Sequence, residues 1–144
     1  MAWDLRRKKR TVVPDPYPSS SNDVWVSAPG GGPVRRQSFE FSIAVIRLFK
    51  ELESHREFVV SKQLLRAGTS IGANIEEAVA AESRRDFLHK MNIALKEARE
   101  SLYWIRLLEE SDLVSGIDVS NHRDRANDLV SLLTAIVKTT RQSS

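Results

Sequence analysis

Residues 61–82 read SKQLLRAGTSIGANIEEAVAAE, and the rest of the chain arranges itself around them. Placed on a helix at about 100° per residue, Leu64, Gly68, Ile71, Ile75 and Ala78 follow a 4-3-4-3 spacing and form one apolar seam. Leu65, Gly72 and Val79 widen that seam to the breadth of a core-facing stripe. Gln63, Arg66, Ser70, Asn74 and Glu77 gather away from it, within an arc of about 80°. The polar residues are therefore sorted as well as the apolar ones. Ser and Asn are mediocre helix formers, so their alignment admits two readings. One is a solvated face; the other is a hydrogen-bonding strip against a neighbouring helix or subunit.

Gly68 and Gly72 each cost about 1 kcal/mol in helix propensity relative to Ala. That cost is understandable where another backbone approaches closely, so both glycines are assigned to close helix packing. The five residues from Gly68 to Gly72 also spell G-x-S-x-G. A nucleophile elbow needs a strand before its serine, whereas helical periodicity runs straight through this one. The membrane form of G-x-x-x-G needs an apolar 20-mer that is not there.

The helical pattern extends to both sides. A first helix is expected from an N-cap at Ser38 to about Ser54, with Phe39, Ile43, Ile46, Phe49 and Leu52 as its stripe and Val45 and Leu48 beside it. A hinge around residues 55–57 leads into the second, over about 58–81. Ser83-Arg84-Arg85-Asp86 resembles a capping box and opens a third helix to about Glu110. Its core stripe is Phe87, Met91, Ala94, Leu95, Ala98, Leu102 and Ile105. Ile93, Tyr103, Trp104 and Leu107 form a second apolar group on its far side, with Glu97 and Glu100 among them. One bundle core does not easily cover both stripes, so these six residues are the candidate oligomer interface. A fourth helix over about 121–140 turns Ala126, Leu129, Leu132, Leu133, Ile136 and Val137 inward. Short connectors make neighbouring helices antiparallel. The expected fold is all-α: an up-and-down four-helix bundle over residues 37–144, behind an irregular extension over residues 1–36.

Two stretches within this pattern, SKQLLRAGTSIGANIEEA and DFLHKMNIALKEARESLYW, resemble the family of proteins encoded in 23S rRNA intervening sequences. The resemblance covers about residues 37–141 and is most specific in the second and third helices. It implies a four-helix protomer that assembles into a ring-shaped homopentamer. Related accessory proteins of diversity-generating retroelements bind nucleic acid and a reverse transcriptase, which makes RNA, DNA or a nucleic-acid enzyme candidate partners. Most of the family has no established biochemical activity.

Charge is divided unevenly along the 144 residues. The chain carries +3 in all, of which the first 36 residues contribute +4 and the remaining 108 contribute −1. The extension holds all five prolines and half of the glycines, and reads as irregular chain. Its Arg6, Arg7, Lys8, Lys9 and Arg10 are candidate phosphate contacts, as are Arg84, Arg85 and Lys90 in the bundle. Ordinary solvated charge is the competing reading. A further expectation is that translation begins at Val34, read as methionine, behind glycine codons capable of forming a ribosome-binding site. Residues 1–33 would then have no selected role.

Cysteine is absent, which removes disulfides, thiolate catalysis and cysteine-ligated zinc and suits a reducing cytoplasm. No apolar run approaches the ~18 residues of a membrane span. Asp86-Phe87-Leu88-His89 is the nearest approach to the Glu-x-x-His of a bundle di-metal site, and Asp86 already has a role at the helix start. No phosphate loop, dinucleotide fingerprint or nucleophile–base set stands out. The sequence thus predicts a non-enzymatic protein with no cofactor, metal, membrane or small-molecule substrate. Two roles remain: a homo-oligomeric interaction module, or a nucleic-acid-binding accessory protein.

Overall fold

The computed structural model describes residues 32–142. Four helices follow one another: α1 Gly32–Ser54, α2 Val60–Val79, α3 Arg84–Ser111 and α4 Ser120–Gln142. Each packs on its neighbours in sequence, and α4 returns to α1 through the lightest of the four seams. This is an antiparallel up-and-down bundle, as short connectors require. Among the described residues, no helix is long and apolar enough to cross a membrane.

The helix ends explain where the chain turns. α1 closes with Arg56 N–H donating to Glu53 O and Glu57 N–H donating to Leu52 O, both at 2.9 Å. Those two bonds, with Arg56 at φ 62°, form a Schellman motif whose left-handed position is filled by arginine instead of glycine. α2 begins without a side-chain cap from Val59. Glu57 does that work instead. Its Oε1 accepts from the N–H of Val59 and Val60, and its Oε2 accepts from Ser61 N–H at 2.6 Å. Ser83 caps α3 by accepting from Asp86 N–H at 3.0 Å, as the capping pattern predicts.

The core is a single cluster drawn from all four helices. α2 contributes Leu64, Ala67, Ile71, Ile75 and Ala78, with Gly68 also buried, so the seam read from the sequence is the seam observed. α3 contributes Met91, Ala94, Leu95, Ala98 and Ile105, while Phe87 and Leu102 are partly buried against the cluster. In α4, Ala126, Leu129, Leu133, Ile136 and Val137 are buried and Leu132 flanks them.

α1 corrects the sequence reading twice. It starts at Gly32, before the expected Ser38, and Val34 is fully buried in the core. Pro33 suits that start, because the N–H it lacks would have no intrahelical partner there. Ser38 is not a cap. It is buried inside the helix, and its hydroxyl donates to Arg35 O at 3.0 Å. The buried line is Val34, Ser38, Phe41, Val45, Leu48 and Leu52, in 4-3-4-3-4 spacing. Of the expected stripe only Leu52 lies in that line. Phe39 is 64% exposed and Ile46 42% exposed. A serine at a core position broke the apolar pattern, and the neighbouring line of aromatic and aliphatic residues looked stronger.

Candidate interface

The polar arc of α2 is divided between α3, its own backbone and solvent. Arg66 reaches across the seam to α3, donating from Nη1 to both Glu97 oxygens, at 3.4 and 3.3 Å, and from Nη2 to Glu100 Oε2. Farther along, Glu77 pairs with Lys90 Nζ at 2.9 Å. Ser70 and Asn74 donate back to the carbonyls of Arg66 and Ser70, one turn earlier. Gln63 is exposed. The arc is therefore clamped to α3 at two points and self-bonded between them.

Electrostatics follow that geometry. Burial pushes the Glu97 carboxyl up, against the pull of Arg66. The hydrogen bond from Arg66 holds Glu100 below the usual carboxylate range. Arg66 itself is raised, chiefly by the same bond.

The two glycines of α2 meet α1, and not equally. A Cβ on Gly68 would sit 2.9 Å from Val45 Cγ2 and 3.0 Å from Cγ1. On Gly72 it would find nothing nearer than Ser38 O and Ser42 Oγ at 3.5 Å, an ordinary contact. Ser42 Oγ also donates to Gly68 O at 3.5 Å, and Arg35 clamps the same seam through paired bonds of 2.6 and 2.7 Å to Glu76. Close packing thus demands glycine at 68 and merely permits it at 72.

The second apolar group of α3 lies where burial within the protomer runs out. Tyr103 is 56% exposed and Leu107 37% exposed, whereas Ile93 and Trp104 are half-buried. Trp104 packs against the edge of the core, and its ring meets Tyr103 edge-on with centroids 5.0 Å apart. Its buried Nε1 makes no hydrogen bond of good geometry, although the Glu100 carboxylate one turn earlier is close enough to feel it. Sequence reasoning missed the counterpart on α1, where Phe39 and Ile46 project outward. Their signal was present, but it had been spent on the core. Phe58, Val59 and Leu113 add exposed apolar surface in the two connectors at one end of the bundle.

The basic residues singled out from the sequence fall into two groups. Arg6, Arg7, Lys8, Lys9 and Arg10 lie outside the described residues. Arg84 and Arg85 are exposed in the first turn of α3, and Lys90 is occupied by Glu77.

These features define a four-helix bundle with apolar side chains left on two different outer surfaces. A family described as 23S rRNA-intervening sequence protein matches over residues 33–135, and the chain belongs to that family. Among solved structures, a protein of unknown function from the S23 ribosomal protein family of Bacteroides thetaiotaomicron is similar at 44% identity, with a TM-score of 0.69. That match covers 73% of this chain and 98% of the other. Among curated proteins none matches.

Proposed function

We propose that the protein is a non-catalytic interaction module that acts as a homo-oligomer, and that its cysteine-free chain works in the cytoplasm. The observation that carries this reading is the apolar surface left outside the core, Tyr103 and Leu107 on α3 and Phe39 and Ile46 on α1. Single exposed apolar residues are ordinary, but aromatic and branched side chains grouped on two helices are the composition of an interface. Two different patches per protomer suit a head-to-tail contact, in which one patch of each copy meets the other patch of the next. Such contacts close into rings where the rotation between copies closes, and the family resemblance implies a pentamer.

Tyr103→Glu and Ile46→Glu test the arrangement, since each places a charge on one patch and leaves the core untouched. Either variant alone should lose the ring. Mixed in equal amounts they should form a heterodimer, because each still carries one intact patch of opposite kind. Dimers of either variant by itself would contradict head-to-tail assembly, and a wild-type monomer would contradict assembly altogether.

A further inference from the structure

The seam between α3 and α4 opens into a groove of about 540 Å³. Leu95 and Val137 line it, both nearly buried, among Lys96, Arg99, Lys138 and Arg141. The three-residue spacings 96–99 and 138–141 put each pair on one helix face, and the two antiparallel faces meet here. Among the described residues, no carboxylate lines the groove. Elsewhere ion pairs cross the seams, including the other end of this one, where Arg123 of α4 pairs with Glu109 of α3 at 2.5 Å. Arg35 pairs with Glu76 between α1 and α2, while Arg66 and Lys90 pair with glutamates between α2 and α3. The cleft between α1 and α4 sets Glu40 and Glu51 beside Arg47 and Arg125. Lys96, Arg99 and Lys138 have no ion pair among the described residues.

Like charges gathered round one groove repel, and an apolar floor strengthens that field by excluding water. A bound anion relieves both. We infer that this groove binds the phosphate backbone of a nucleic acid, without reading its sequence. The cations are strung along two helices instead of converging on one point, which suits a polymer with a charge every few ångströms better than a single phosphate. Arg85 continues the line. It lies eleven residues before Lys96 on nearly the same face of α3, about 16 Å along the axis. This surface shares only Arg85 with the set read from the sequence, in which Lys90 is already paired and Arg84 stands at the helix start. None of its residues belongs to either apolar patch, although Tyr103 of the α3 patch follows Arg99 by one turn on the same face.

The test is fluorescence anisotropy of the full chain with a short labelled single-stranded RNA, and with DNA of the same length, over a salt series. The wild type should bind at low salt and weaken steeply as salt rises. The double variant Lys96→Glu/Lys138→Glu should bind at least about tenfold more weakly, with the log–log salt slope reduced by about 1.4 for two lost single-strand contacts. Its melting temperature should be unchanged or higher, because repulsion is removed. Lys96→Gln/Lys138→Gln should show a smaller loss and serves where the charge reversal fails to fold. Absent wild-type binding, unchanged binding by both variants, or equal affinity for polyglutamate would overturn the inference. So would an altered oligomeric mass in the glutamine variant, which would make the groove a subunit contact.

Discussion

Gly68 and Gly72 look interchangeable in the sequence and are not. At Gly68 a methyl group would press on Val45, a stiff β-branched side chain held on all sides in the core. Overpacking of this kind costs about 1–3 kcal/mol, more than the ~1 kcal/mol of helix propensity that alanine recovers. Gly68→Ala should therefore lower stability by about 1–2 kcal/mol, whereas Gly72→Ala should leave it unchanged or raise it by up to ~1 kcal/mol. Thermal melts at one fixed protein concentration distinguish the two. Equal effects would mean that the α1–α2 contact is not as close as it stands here. Glu57 makes the second residue-scale prediction. Burial pushes its carboxyl up, but the bonds from the Ser61, Val60 and Val59 N–H groups outweigh it and hold the group below its ordinary value of 4.5. The unfolded chain therefore takes up the proton first as pH falls. The stability that Glu57 contributes is fully present above its ordinary value and disappears as pH drops through the folded one. Glu57→Gln should cost about 1–2 kcal/mol at neutral pH, in the range of a helix cap with its charge, and this deficit should close in acid. A deficit that persists unchanged below the glutamate range would show that the charge is irrelevant. Glu57 was unreadable as a cap because it stands three residues before the helix it serves.

At the scale of the element, α2 was legible because its apolar spacing is unbroken, and α3 because the apolar residues around its buried Ser101 keep the stripe visible and Ser83 caps its start. α1 was not, because Ser38 interrupts its buried line and its hydroxyl is satisfied within its own helix. Periodicity counts apolar residues and cannot see a serine that belongs inside. The polar arc of α2 was visible as a pattern, but its strength was not, since that depends on exposure. Arg66 remains 51% exposed at its side chain, with Glu97 and Glu100 at 20% and 35%. Solvent screens such pairs, so double-mutant cycles between Arg66 and either glutamate should give couplings of at most about 1 kcal/mol each. Values of ~3 kcal/mol or more would mean that a partner subunit buries the cluster. This places the cycle on the boundary between element and assembly. Repeated with Tyr103→Glu in the background, it would show whether assembly supplies any of the coupling.

At the scale of the whole molecule, composition misleads and arrangement informs. The net charge of +3 belongs arithmetically to residues 1–36, and the bundle that follows is close to neutral. Yet the cations of that bundle are unevenly matched: ion pairs cross the α1–α2 and α2–α3 seams and one end of α3–α4, whereas Lys96, Arg99 and Lys138 have none among the described residues. No count of residues could reveal this, because it depends on which helices become neighbours. The outer apolar patches have the same origin. The α3 patch was readable as a surplus that one core does not absorb, whereas the α1 patch emerged only once the true core line was known. Together the two patches point to assembly, which the mass of the native species reports. Native mass spectrometry of the full wild-type chain at micromolar concentration should give a closed multiple of the 16.3 kDa protomer, fivefold if the ring matches the family resemblance. A single species at 16.3 kDa throughout that range would contradict the account.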